Sequence, residues 1–171
     1  MLKNALEYSL EYLDKISSSK PNERLPKEEQ LRCALFSFYT SKGYLVHPEA
    51  AYFPADDGNK EECDLRVITS SKEHWIEIKT ARCASHLQTK TTEEVGRWEK
   101  DGWKLENAPE NADKIFILYT FTENHPDETD STFFKAIRDL WADYAVTRAC
   151  TKKFSWRDTS VNYVTAWYWQ W

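Results

Sequence analysis

Apolar residues recur at helical spacing from the first residues of the chain. Leu2, Leu6, Leu13 and Ile16 fall on one stripe, with Ser9 the exception. The pattern predicts an amphipathic helix over 2–16 that packs on the domain or on a partner. It stops at "SSSKPNERLP" (17–26), which is rich in serine, carries two prolines and has no period, and so reads as a linker. A second helix is predicted over 27–42, "KEEQLRCALFSFYTSK". Pro26 stands just before it, Leu31, Leu35 and Phe38 mark its buried stripe, and Gly43 is a natural stop. Counting back three residues from Leu31 reaches Glu28, so Glu28, not Glu29, lies on the inward stripe.

The period then shortens. "YLVHPEAAYF" (44–53) is strand-like, and Pro48 suggests an edge or a bulge. After a polar loop, two further strands are predicted over 63–69 and 74–81. Residues 92–108 read as a helix with Val95, Trp98, Trp103 and Leu105 near one side. "DKIFILYTF" (113–121) is a continuous apolar run, as in a central strand covered on both faces. A helix is predicted over 131–149 with Ser131 as its N-cap. A terminal strand is predicted in "VNYVTAWYWQW", with Val161, Tyr163, Thr165, Trp167, Trp169 and Trp171 on one face. The order is that of one α/β domain, 1–171, built on a mixed sheet flanked by helices.

Composition narrows the function classes. The chain has 171 residues, 41% hydrophobic and 30% charged, ordinary values for a soluble domain. No apolar run approaches the ~20 residues of a membrane span. The first twenty residues are too acidic for a signal peptide, so the expectation is a cytoplasmic protein without membrane partners. The four cysteines have no CxxC spacing and are expected to be reduced. The four histidines share no ligand spacing, and no glycine-rich phosphate loop occurs, so no nucleotide cofactor is expected. The net charge of −5 argues against binding nucleic acid by bulk electrostatics, but not against metal ions meeting phosphates locally.

The chemistry concentrates in "CDLRVITSSKEHWIEIKTA" (63–81). With a tight turn centred between Ser70 and Ser71, Leu65 faces Ile76, Val67 faces His74, Cys63 faces Ile78, and Asp64 faces Glu77. Leu65, Val67, Ile76 and Ile78 then share an apolar face, while Asp64, Glu77 and Lys79 share the other. Two carboxylates directly across a ladder sit roughly 4.5–5.5 Å apart at Cβ and repel one another. A hard divalent cation removes that penalty, and Lys79 points to the same place as a base or cation beside it. The plainer alternative is a solvent-facing acid pair with Lys79 as a cross-strand partner.

Taken with Glu28 in "EEQLRCALFSFYTSKGYLV" and Glu49 in "HPEAAYF", the set Asp64, Glu77 and Lys79 resembles the PD-(D/E)XK nuclease superfamily. The resemblance covers residues 27–121, and Cys63 stands where the family usually has proline. It implies a restriction-endonuclease-like αβββαβ core (27–121), with an added N-terminal helix and linker (1–26) and a C-terminal helix and strand (122–171). It implies that Asp64 and Glu77 bind Mg²⁺, or Mn²⁺ in its place, with the Ile78 backbone carbonyl as a further ligand. Glu28 would bind a metal water or a second metal, and Lys79 would orient or deprotonate the attacking water or stabilise charge on the phosphate. Glu49 is open to two readings, an acid behind the metal ligands or a surface side chain. Gln88 could touch substrate, and an exposed loop glutamine is the plainer reading.

The implied reaction is hydrolysis of a phosphodiester in nucleic acid, most directly by a DNA endonuclease. Double-strand cleavage would call for a homodimer. The alternative is a catalytically silent module of the same fold that binds protein or nucleic acid. Candidate phosphate contacts are Arg82, Lys90, Arg97, Lys100, Lys104, Lys152, Lys153 and Arg157. The terminal "AWYWQW" could pair with a second copy or stack bases, against the plainer reading of a core strand with one wet face.

Overall fold

The computed structural model describes residues 1–19, 27–52, 61–83, 90–127, 131–141, 143–154 and 161–171. Helix α1 is Leu2–Ser19, and α2 is Glu28–Ser41. Strands β1 (Leu45–Ala51), β2 (Glu62–Ile68) and β3 (Glu73–Cys83) follow. Then come helix α3 (Lys90–Lys104) with a 3₁₀ turn at Leu105–Asn107, strand β4 (Asp113–Thr122), helix α4 (Ser131–Asp139), and strands β5 (Thr147–Lys153) and β6 (Tyr163–Gln170). The six strands form one mixed sheet in the order β1-β2-β3-β4-β6-β5. Only β3 and β4 run parallel, and α3 supplies the crossover that a parallel pair needs. No helix among the described residues is long and apolar enough to cross a membrane.

Strand alternation divides the core between the two faces of the sheet. Leu65 and Val67 of β2, Ile76 and Ile78 of β3, and Ile115, Ile117, Tyr119 and Phe121 of β4 pack under Leu6, Leu10 and Leu13 of α1 and Leu31 and Leu35 of α2. Trp75, Phe116, Leu118, Trp167 and Trp169 fill the other side with Trp98 of α3 and Ile137 of α4. With apolar neighbours on both sides, β4 carries eight consecutive buried residues, as its unbroken apolar run predicts. Cys63 leaves the alternation of β2 and packs with Tyr52 and Trp75 in the second cluster.

Helix α1 packs on the domain, and Ser9 belongs to its buried stripe. Its hydroxyl donates to the Leu6 carbonyl at 2.7 Å and shares a hydrogen bond of 2.7 Å with the Tyr119 hydroxyl. Three other expectations are corrected. Residues 131–149 are not one helix: α4 ends at Asp139, Trp141 turns the chain with φ +50°, and Thr147–Lys153 forms β5 at the sheet edge. Strand β6 is an inner strand without a continuous wet face: β4 pairs it as far as Gln170 and β5 as far as Tyr168, and residues 164–167 and Trp169 are buried, so most of its length is closed to a second copy. Trp103 points to solvent, 64% exposed, because the inward stripe of α3 runs through Trp98 and Gly102, one residue earlier.

Candidate active site

The hairpin register is the one the apolar pattern predicts: Leu65 lies opposite Ile76 and Val67 opposite His74. The ladder, however, ends at Leu65 and Ile76. Beyond that pair β2 stays with β1, where Cys63 opposes Ala50, and β3 continues along β4. Asp64 and Glu77 are therefore not a cross-strand pair, and neither are Cys63 and Ile78. The sheet divides between them. Asp64 closes the division with its side chain, its Oδ2 accepting the Ile78 N–H at 2.7 Å, so the amide left without a ladder partner is satisfied.

This division lets the two faces of the sheet meet. Glu28 begins α2, the helix on the first face, where its negative charge also suits the positive end of the helix. Glu77 and Lys79 follow Trp75 on the second face by alternation. The Lys79 ammonium lies 3.3 Å from Glu28 Oε1, 3.8 Å from Asp64 Oδ2, 3.7 Å from Glu77 Oε2 and 3.7 Å from Asp101 Oδ2 of α3. Four of the elements that the sequence places in order thus deliver their acids to one ammonium.

Burial sets the electrostatics. Glu77 is 3% exposed, and burial, reinforced by the neighbouring Asp64 carboxylate, pushes its carboxyl up to about 8. Lys79 and a 2.9 Å hydrogen bond donated by the Tyr52 hydroxyl to Glu77 Oε1 offset only part of that rise. Burial likewise raises Glu28 above the ordinary carboxylate range, against the pull of Lys79. For Lys79, burial acts to lower the pKa, but Asp64, Glu28, Glu77 and Asp101 together raise it. The lysine is thus a cation across the physiological range in this arrangement. The Cys63 thiol is pushed up to about 12 by burial, Glu77 and Asp64, so it stands beside the site as a neutral group.

Asp64, Glu77, Lys79 and Glu28 converge. The contact made by the Ile78 backbone is through its amide, to Asp64. Glu49 does not reach Lys79. It adopts φ +52° and pairs with Arg32 at 3.1 Å, and Arg32 in turn reaches Asp64 Oδ1 at 3.4 Å. Gln88 lies outside the described residues. Of the basic candidates, Lys104 pairs with Asp101 at 2.6 Å beside the site, whereas Lys152 pairs with Asp14 of α1. The side chains of Arg82 and Lys90 and the whole of Arg157 lie outside the described residues. Four groups at the site were missed or not singled out: Arg32, Tyr52, Asp101 and the pairing role of Lys104. Arg32 had a usable signal, since it stands four residues after Glu28 on the same helical face.

Among the described residues, no group of three or more His, Cys, Asp and Glu side chains is arranged to hold a metal ion. The donors at the centre are nonetheless of the kind a hard cation takes. They are carboxylate oxygens, and two of the carboxyls are held above their ordinary pKa, chiefly by burial and then by the Asp64 charge. No protein-family model, curated protein or solved structure matches the chain.

Proposed function

We propose that the chain is a metal-dependent nuclease that hydrolyses a phosphodiester of nucleic acid, most directly a DNA endonuclease. In this reading α2, β1, β2, β3, α3 and β4 correspond to the restriction-endonuclease-like αβββαβ core. The observation that carries it is the meeting of Glu28, Asp64, Glu77 and Lys79, from three separate elements, where the sheet divides.

Asp64 and Glu77 would hold Mg²⁺ or Mn²⁺, with the Ile78 carbonyl and Glu28 completing the set directly or through water. When bound, the cation would lower the pKa of a coordinated water and offset charge on the pentacovalent phosphate. Tyr52 fixes the Glu77 carboxylate by its hydrogen bond, and Arg32 and the Ile78 amide fix Asp64. Lys79 would orient the water and stabilise charge on the phosphate oxygens. Its raised pKa speaks against deprotonation of water by this lysine in the arrangement seen here.

One observation favours a second reading. The Lys79 ammonium already lies within 4 Å of four carboxyl groups, and such a network could tie the divided sheet together in a module with no catalytic activity. The two are separated by incubating the protein with linear, circular and single-stranded DNA and with RNA, in Mg²⁺, Mn²⁺ or EDTA. The nuclease reading expects cleavage that needs the metal and falls by about 10²-fold or more in Asp64→Ala and in Lys79→Ala. Equal cleavage by both variants would remove the site assignment. No cleavage of any substrate, with no metal binding by calorimetry, would leave the silent module.

A further inference from the structure

Asp64 and Asp101 use their two oxygens in the same way. Asp64 gives Oδ2 to Lys79 and Oδ1 to Arg32, at 3.8 and 3.4 Å. Asp101 gives Oδ2 to Lys79 and Oδ1 to Lys104, at 3.7 and 2.6 Å. The result is a row of alternating charge, Arg32, Asp64, Lys79, Asp101 and Lys104, that crosses the site from α2 to α3. Glu77 lies beneath it at 3% exposure, whereas Arg32 and Lys104, at 24% and 27%, open toward solvent at its two ends.

We propose that Arg32 and Lys104 are the phosphate contacts on the two sides of the reacting position, so that one strand of nucleic acid runs along this row. The inference rests on the nuclease reading and adds to it the path of the substrate. Its physical basis is charge. A protein of net charge −5 cannot hold a polyanion by its overall field, so cations at the site must do so. Among the described residues, Arg32 and Lys104 are the cations besides Lys79 that pair with the carboxylates gathered around that lysine. They stand on different helices, so they bracket the centre rather than crowd one side of it. Arg32 and Lys104 carry more N–H donors than Asp64 and Asp101 use, so each can take a phosphate while it keeps its acid. Arg32 can present its planar fork to that phosphate in two-pronged geometry. Glu49 holds one end of the Arg32 guanidinium at 3.1 Å, and this gives a use for a residue held at a φ that side chains rarely adopt.

The test is the salt dependence of binding, read by fluorescence anisotropy on labelled single-stranded and duplex oligonucleotides. Ca²⁺ replaces Mg²⁺ in the assay, and salt is varied from about 50 to about 200 mM. Arg32→Gln and Lys104→Gln should each flatten the slope of log K against log salt by about 0.7 on single strands or about 0.9 on duplex. Arg32→Lys should keep the wild-type slope. Lys3→Gln, at an exposed position of α1 where Lys3 pairs with Glu7, should leave it unchanged. The two positions are read independently, so a variant that fails to fold leaves the other to decide. Unchanged slopes in Arg32→Gln and Lys104→Gln, in a protein that still binds and cuts, would overturn these contacts and leave the nuclease reading standing. A wild-type protein that binds no oligonucleotide would overturn both.

Discussion

The Tyr52 hydroxyl donates a 2.9 Å hydrogen bond to Oε1 of Glu77, while Oε2 of the same carboxylate faces Lys79 at 3.7 Å. Tyr52 stands just past the end of β1 and stacks on Trp75 with ring centroids 5.2 Å apart, so its hydroxyl is aimed by packing. The phenol itself stays protonated, because burial and the nearby Glu77 charge push its pKa far up. The bond favours the charged form of Glu77, which is the form a cation needs. Tyr52→Phe should therefore raise the Glu77 pKa further and weaken divalent-cation binding near neutral pH. A hydrogen bond to a charged group contributes about 1.5–3 kcal/mol, so a loss of about tenfold or more is expected. Isothermal titration with Mn²⁺ reads it, and the deficit should shrink as pH is raised. A deficit that stays constant with pH would mean that the hydroxyl acts on something other than the ionisation of Glu77.

Glu77 also gives the fold a pH dependence. Its carboxyl titrates near 8 in the folded protein and near 4.5 in a free chain, so the folded state holds a proton that the unfolded state releases in between. The contribution is fully present below about 4.5, declines as pH rises, and is lost once pH passes about 8. Glu28 shifts in the same direction. Lys79 stays charged across the window and does not cancel the trend. Thermal unfolding in EDTA should show a midpoint that falls from pH 5.5 to 8.5, by an amount equivalent to a few kcal/mol at most. Glu77→Gln should flatten most of the slope, and saturating Mg²⁺ should raise the midpoint more at pH 8 than at pH 5.5. A slope that Glu77→Gln leaves unchanged would place the Glu77 pKa back among ordinary carboxylates, because His74, whose pKa burial lowers, works against the trend in part of this range.

Ser9 shows how much of the fold pattern alone can reveal. By type it interrupts the apolar stripe of α1, yet it is buried and meets Tyr119, a residue 110 positions further along the chain. No local period announces such a partner. Ser9→Ala should leave the Tyr119 hydroxyl short of its partner in the core and cost about 1–3 kcal/mol. The double variant Ser9→Ala, Tyr119→Phe should recover part of that loss, because it removes both polar groups. Urea unfolding of the four proteins in the cycle measures it. A double variant no more stable than the sum of its parts would show that the two hydroxyls are not coupled.

The same distinction holds across the molecule. The burial period exposed the helices, the central strand β4 and the hairpin register, because each of these is enforced by which residues avoid water. Strand β5 stayed hidden. "TRACTKK" is polar and half-exposed, its strand character comes from pairing with β6, and the preceding Trp141 and Tyr144 prolong the apparent helical period of α4. At the site, Asp64, Glu77 and Lys79 were legible because strand alternation sets all three on the face opposite Leu65 and Ile76, and Glu28 because it stands three residues before Leu31. Asp101 and Tyr52 were not, since nothing in their local spacing sets them apart from surface acids and core aromatics. The division of the sheet was invisible for another reason. It depends on which neighbour each strand keeps, β1 for β2 and β4 for β3.

Two glycines of α3 provide a controlled comparison on a single helix. Both are non-ideal in a helix interior, where replacing Gly with Ala ordinarily gains about 0.8–1 kcal/mol. A methyl group on Gly96 would meet nothing within 4 Å, so Gly96→Ala should stabilise the protein by about that amount. A methyl group on Gly102 would overlap Cζ2 of the Trp141 indole and come within 2.6 Å of Cη2. That ring has little room to retreat, being packed against Phe116, Trp169 and Trp171 with centroids 4.6, 5.3 and 5.5 Å away. The overlap should outweigh the helical gain, and Gly102→Ala should destabilise by about 1–3 kcal/mol. The strain would be felt at Asp101 next door, which pairs with both Lys79 and Lys104. Thermal midpoints that move in opposite directions for the two variants are the expected result. A Gly102→Ala protein as stable as Gly96→Ala would mean that Trp141 does not hold the position against α3 that the structure gives it.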